Sequence, residues 1–504
     1  MNRATRILIA SASALSLTAS SFAQDIVQSS SGWYTDAEAQ LQARIGWTPI
    51  TGKARNVILL IADGNGIGTN YATRIFVGQQ KGGMGEEYVL PQEAFPALAL
   101  IKTYNINAQT PDSAPTAGAM NTGVKQVFNT INVAEDVIHD DCASSQGKGL
   151  TTFAEMVAAD GKSVGFVTTA RITHATPAAV YAKTPNRDWE SKAPDGCIDI
   201  ATQLMTAMKA GWINFAMGGG SSYFAPKDAA TQDGGKGNRE DGKDCVKEAT
   251  DAGWLYAYNT ASAKALDLTS DKPVLALFEG SHMKYEADRT EEDEPSLAEM
   301  TKMAIEYLSK DSDGYYLEIE AGRVDHANHA GNVKRAMIDG MAFADAVAMA
   351  DELTNDEDTL IIVTADHEHA ITFNGYCGRG TPIEGLCMGI AKGAVMNTGV
   401  PEVAADGKPY SVVGYLNGSG SVLVKAGEGD NALYVAAEGR PSVTEAEATD
   451  LDYVQQALIP MGGGETHSGE DVALYAKGPW AHLFSGTVEQ SYIFHVMNYA
   501  VNAQ

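Results

Sequence analysis

Three short stretches concentrate residues able to do chemistry. In EAGRVDHANH, residues 320–329, Asp325 and His329 stand four apart, so on a helical turn they share a face, with Glu320 ahead of them and His326 between. TADHEH, residues 364–369, places Asp366 and His367 directly after an apolar run, followed by His369. GGGETHSGEDV, residues 462–472, sets His467 in a glycine-rich turn. The chain has only 10 histidines, and four of them lie in the first two stretches. Mixed carboxylate and imidazole sets suit Zn2+ and similar divalent ions. A single histidine after a strand is usually a satisfied core or surface residue, but the recurrence favours a metal site.

A fourth stretch, TPDSAPTAGAM at 110–120, carries Ser113. Its bland role is an N-cap, accepting a hydrogen bond from the first free amides of a helix. Its sharper role is a nucleophile at the positive end of that helix. The serine alone does not decide between them.

These residues need a scaffold to converge. Between residue 56 and about 372, apolar runs rich in β-branched residues read as buried strands: NVILLIA, SVGFVTT, INFAMGG, PVLALFEG, YYLEIEAG and TLIIVTA. Between several of them, LTTFAEMVAAD and PSLAEMTKMAIEYLSK show helical spacing. The alternation implies an α/β fold: a large, mostly parallel central sheet flanked by helices on both faces. Sites in such folds gather at the carboxyl ends of strands. Asp63 follows the first run, Glu320 lies near the end of another, and Asp366 follows a third. Residues 375–464, rich in Gly, Ala and short polar turns, read as an inserted subdomain of short strands. The α/β pattern resumes at EDVALYAKGP and closes in an amphipathic helix near EQSYIFHVMNYAV.

The 504 residues are 44% hydrophobic and 20% charged, an ordinary globular composition. A net charge of -28 excludes nucleic acid and anionic membrane as partners, and suits solubility and tolerance of salt. Residues 1–23, with Arg3 and Arg6 before a short apolar core and SFA at the end, read as a secretory signal peptide of bacterial type. The expected location is therefore the periplasm or the extracellular space, and residues 24–504 are the mature chain. Export permits disulfides. Cys377 with Cys387 could close a small loop, Cys142 with Cys197 is the other favoured pair, and Cys245 is left free.

The stretches VILLIADG, PDSA, THATPA, RVDHANH, TADHEH and ETHSGEDV, in this order, resemble the alkaline phosphatases from about residue 50 to the C-terminus, least across 375–464. The resemblance implies hydrolysis of small phosphate monoesters at alkaline pH through a phosphoserine on Ser113. It implies two Zn2+ and one Mg2+ per subunit: Asp325, His329 and His467 for the first zinc; Asp63, Asp366, His367 and Ser113 for the second; Asp63, Thr176 and Glu320 for magnesium, with His174 nearby. Arg187, in KTPNRDW, matches the arginine that grips phosphate, with His174, His326 and Asp112 around the substrate. A homodimer is also implied, whose interface could include 375–464. Without the resemblance, Arg187 reads as a surface-loop arginine.

The chain departs from the family pattern at Pro115 and Gly118 in the serine motif and at Asn65, where the family commonly has Met. His174 and His326 stand where other members carry Asp, Lys or Trp. None of these changes removes a reacting atom. Rival readings are poorer. SAPTA lacks the arginine of the sulfatase signature, and NVILLIADGNGIG lacks dinucleotide-binding glycine spacing. DGKSV lacks the first glycine of a P-loop. An exported, non-catalytic phosphate- or metal-binding protein would not need the nucleophile, which argues against that class.

Overall fold

The computed structural model describes residues 26–427, 433–436 and 439–503, so the expected signal peptide lies outside the described residues. The chain separates into two units, one ending at Thr48 and the other beginning at Pro49. The first carries the helix Gly32–Gly46, which has no buried residue.

The second unit is built on a ten-stranded sheet. Its strands follow in the order Ser485–Glu489, Ala97–Lys102, Val472–Lys477, Thr359–Ala365, Asn56–Ala62, Tyr315–Ala321, Ser163–Arg171, Phe215–Gly219, Val274–Leu277 and Leu255–Ala257. Neighbours run parallel except at Val472–Lys477, which is antiparallel to the strands on both its sides. The expected mostly parallel sheet is therefore present.

Asn56–Ala62 explains why the apolar runs are continuous rather than alternating. Val57, Leu59 and Ile61 enter one core, while Ile58, Leu60 and Ala62 enter the other. On the first face pack the helices Ser113–Thr122, Phe153–Ala159, Ile200–Ala210 and Tyr492–Asn502; on the second, Leu297–Leu308 and Val333–Glu352. Capping boxes fix two of the starts, Thr152 with Glu155 and Ser296 with Glu299. Each fully buried Leu or Ile contributes roughly 1.5–3 kcal/mol, so this two-faced burial holds the central strands rigid.

Three strands of the sheet escaped the sequence pattern, one of them the three-residue edge strand Leu255–Ala257. Ala97–Lys102 buries only alternate residues, with Leu98 53% exposed, and Ser485–Glu489 at the sheet edge is polar. The segment 375–464 does carry short strands. Ile371–Phe373 pairs antiparallel with Val413–Asn417, which pairs parallel with Ala457–Ile459, and Leu423–Ala426 pairs with Leu433–Ala436. The disulfides Cys142–Cys197 and Cys377–Cys387 are both present, and Cys245 is free and buried.

Candidate active site

The carboxyl ends of adjacent parallel strands bring the chemistry together. Ile61 pairs in register with both Glu320 and Thr364, and Thr168 with Glu320. Asp63 and Asp366 therefore leave neighbouring strands at the same level, with Glu320 two residues earlier on the strand alongside. Gly64 turns the chain there with φ +65°, and a Cβ at that position would lie 2.4 Å from His369 Nε2.

Ser113 is the first residue of the helix Ser113–Thr122, and the N-cap is Asp112, whose carboxylate accepts from the Ala114 amide at 3.0 Å. The bland cap role thus belongs to Asp112 and leaves the Ser113 hydroxyl free for other partners. Its Oγ lies 3.0 Å from His367 Nε2 and 3.3 Å from Asp63 Oδ1. His367 Nε2 is in turn 3.3 Å from Asp63 Oδ1 and 3.2 Å from Asp366 Oδ2. Asp366 Oδ1 is fixed by the amides of Gly64 at 3.0 Å and His367 at 2.9 Å. Gly118, a departure from the family pattern, faces Gln126: a Cβ would come within 2.5 Å of its amide nitrogen. Asn65 is buried with its Oδ1 unpartnered.

A second set lies beside the first. His329 Nδ1 bonds to the Glu465 carbonyl at 2.6 Å, and His467 Nδ1 to the Pro111 carbonyl at 2.9 Å. Each Nδ1 must then carry the proton, which leaves two Nε2 lone pairs facing each other at 3.0 Å. Asp325 Oδ1 lies 3.4 Å from the one and 3.3 Å from the other. Two acceptor nitrogens and a carboxylate oxygen around one point are mutually repulsive unless a cation sits among them, and the donor set fits Zn2+. His369 belongs to this cluster as well.

The third set is made of orphans. Asp63 Oδ2, Glu320 Oε1 and the Thr176 hydroxyl are buried without partners. Glu320 Oε2 accepts from Thr168, and Asp63, His174 and Glu320 can converge on a common ligand. Burial first, then the like charges around them, raises Asp63 well above the ordinary carboxylate range and Glu320 to about 8. A hard divalent cation held by oxygens relieves that penalty, so this set fits Mg2+.

Arg187 is no surface-loop arginine. It is half-buried, with Nη1 on the Asp112 carboxylate and Nη2 2.9 Å from His174 Nε2. His326 lies beside His174, with ring centroids 5.6 Å apart. All the residues singled out from the sequence are thus within the constellation. His369, Glu465 and His282 join them. His369 was noted without a role; its ring bridges Asp325 and Glu465. Its pairing with His467 across a two-residue ladder was the available signal. His282, next to His326, follows the strand Val274–Leu277, and the strand-end rule applied to PVLALFEG would have reached it.

A sequence profile described as alkaline phosphatase matches residues 54–503. The chain belongs to the alkaline phosphatase family. It is similar to the tissue-nonspecific alkaline phosphatase of Gallus gallus, 41% identical over 464 residues that cover 89% of this chain and 84% of the relative. It is also similar to the alkaline phosphatase of Gadus morhua, 39% identical over 89% of this chain and 92% of the relative. Among solved structures, the alkaline phosphatase of Thermus thermophilus shares the fold with a TM-score of 0.63 at 22% identity, covering 92% of this chain and 94% of that one. That of the Antarctic bacterium TAB5 does so at 0.60 and 22% identity, covering 90% and 99%. As a member of the alkaline phosphatase family the protein is a metal-dependent hydrolase of phosphate monoesters, and the family mechanism passes through a phosphoserine.

Proposed function

We propose that Ser113 is the nucleophile of this hydrolase, that Arg187 binds the phosphate, and that the three sets hold two Zn2+ and one Mg2+. Asp325, His329 and His467 hold the first zinc, Asp63, Asp366, His367 and Ser113 the second, and Asp63, Thr176 and Glu320 the magnesium. The observation that carries this reading is the pair of lone-pair nitrogens of His329 and His467 aimed at one point with Asp325, beside the free hydroxyl of Ser113.

Ser113 Oγ attacks phosphorus in line, forming the Oγ–P bond as the alcohol oxygen departs. Water then cleaves the phosphoserine and releases inorganic phosphate. The amides at the start of the helix Ser113–Thr122 favour negative charge on Oγ. Arg187 presents a planar fork to two phosphate oxygens, with Asp112 and His174 fixing its direction. Bound divalent cations supply the positive field that lowers the proton affinity of the attacking hydroxyl and offsets charge on the phosphoryl group.

Purified protein tests the reading through p-nitrophenyl phosphate hydrolysis at alkaline pH, before and after chelation and with zinc and magnesium restored. Turnover that chelation removes and metals return is the expected outcome. A metal-loaded protein without turnover contradicts it.

The protein is exported, to the periplasm or beyond, on the reading of residues 1–23, and among the described residues no helix is long and apolar enough to cross a membrane. It works as a homodimer. What supports this is apolar surface suited to a second copy: Ile67, Tyr71 and Phe373 are 51%, 37% and 39% exposed, and Tyr71 meets Phe373 edge to face at 4.9 Å. Light scattering that gives a monomer mass would contradict it. The net charge of -28 supports activity in high salt, measurable across NaCl concentrations.

A further inference from the structure

A carboxyl in the apolar core ties the far end of the serine helix to the sheet. Glu318 lies on the strand Tyr315–Ala321, two residues before Glu320 and therefore on the same face. Its register partners Leu59 and Phe166 belong to the first core, and Glu318 itself is buried among them. Glu318 Oε2 accepts from Asn121 Nδ2 at 2.8 Å and from the Tyr316 hydroxyl at 3.0 Å. That hydroxyl also stands 3.2 Å from Asn121 Oδ1, which closes a triangle of three buried side chains. Asn121 belongs to the helix Ser113–Thr122, eight residues beyond Ser113 and so about 12 Å along the axis.

Stability does not account for this carboxyl. Glu318 Oε1 has no partner, and a buried polar atom left unbonded costs free energy that an apolar side chain would avoid. What the carboxyl supplies is a fixed direction. Every residue of the helix Ser113–Thr122 is buried and most are small, so its packing ridges are shallow and hold its axial position loosely. Asp63 and His367 meet Ser113 at one end, and the bond from Asn121 to Glu318 holds the other. Because Glu318 and Glu320 share one strand, the same stretch of backbone places the helix of the nucleophile and a magnesium ligand.

We propose that Glu318 is a positioning residue for the reaction: through Asn121 it sets where the helix holds Ser113 Oγ relative to the metal sets. The proposal rests on Ser113 being the nucleophile. Misplacing a reacting atom by about 1 Å can cost roughly 100-fold in rate, so a tether two turns away from the chemistry has leverage on it.

Glu318→Leu, Glu318→Gln and Ser113→Ala are compared with the wild type as metal-loaded full chains. The readouts are kcat/KM for p-nitrophenyl phosphate, bound zinc and the thermal midpoint. In Glu318→Leu, Asn121 Nδ2 keeps the Ala117 carbonyl at 3.2 Å and the Tyr316 hydroxyl keeps Asn121 Oδ1, so neither former partner is orphaned. This variant is expected to hold the zinc and thermal midpoint of the wild type while kcat/KM falls about tenfold or more. Glu318→Gln, whose amide oxygen can accept both bonds, is expected to recover most of the loss. Wild-type kcat/KM in Glu318→Leu overturns the proposal. So does a loss that glutamine does not recover, or one that comes with lost zinc or a lowered thermal midpoint. Should Glu318→Leu fail to fold, Asn121→Ala breaks the same bond from the helix side and is read in the same way. Wild-type turnover in Ser113→Ala removes the serine reading and this proposal together. An inactive Ser113→Ala beside an unimpaired Glu318→Leu removes this proposal alone.

Discussion

Glu465 and His369, 96 residues apart in sequence, form a buried pair that aims an imidazole at a metal ligand. Glu465 Oε2 accepts from His369 Nδ1, and His369 Nε2 donates to Asp325 Oδ1 at 2.8 Å. Burial opposes charge on this ring, yet the carboxylates on either side raise it to about 10, so it stays an imidazolium. A ring protonated on both nitrogens cannot ligate, so His369 orients Asp325 instead.

Removing the charge of Glu465 should therefore weaken the first zinc position. Supporting partners of this kind are typically worth 10–100-fold in metal affinity. Glu465→Gln is expected to lose zinc to a competing chelator at a concentration lower by about that factor. A chelator titration that coincides with the wild type would show that Asp325 needs no such support.

Ser113→Ala should reduce turnover of p-nitrophenyl phosphate by at least about three orders of magnitude, in keeping with removal of other catalytic nucleophiles. Oγ makes only the contacts to His367 and Asp63, and Asp112 remains to cap the helix. The thermal midpoint should stay near that of the wild type. Turnover close to wild type would remove Ser113 from the reaction.

Much of this arrangement was legible in the sequence, and the reason is burial on two faces. NVILLIA, YYLEIEAG and TLIIVTA announce central parallel strands because nothing on them faces water; Asp63 and Asp366 stand out as the first charges after two of those strands, and Glu320 as the penultimate residue of the third. What stayed hidden depends on distance or on cancellation. Glu465 is polar in a turn, and only the folded chain brings it to His369. His282 sits in no recurrent motif. Ala97–Lys102 alternates weakly, since Leu98 and Leu100 occupy its exposed face where polar residues are expected. Asp112 and Ser113 both suit an N-cap, and geometry alone chose the first.

Arg187 separates charge from shape. Arg187→Lys keeps a cation but loses the planar fork that can take two phosphate oxygens at once. Hydrogen bonds to charged groups are worth roughly 1.5–3 kcal/mol, so inhibition by inorganic phosphate should weaken by roughly one to two orders of magnitude. An unchanged inhibition constant would mean that the guanidinium serves only to hold Asp112.

Asp339 sets a pH dependence that is unconnected with catalysis. It lies in the helix Val333–Glu352, fully enclosed, with the Glu286 amide on Oδ1 at 3.2 Å and Oδ2 without a partner. Burial raises its carboxyl to about 8, against the lowering effect of that amide and of Arg323 and Arg335. The folded protein therefore retains a proton that the unfolded chain has already released. Stability from this group is complete below the ordinary carboxyl range and falls as pH rises, until the folded carboxyl itself ionises near 8. The slope is at most about 1.4 kcal/mol per pH unit. Asp339→Asn has nothing to ionise, so its stability relative to wild type should grow from pH 6 to pH 8 and then level off. Urea denaturation of both proteins at several pH values reads this directly. Parallel stability curves across that range would place the Asp339 pKa outside it.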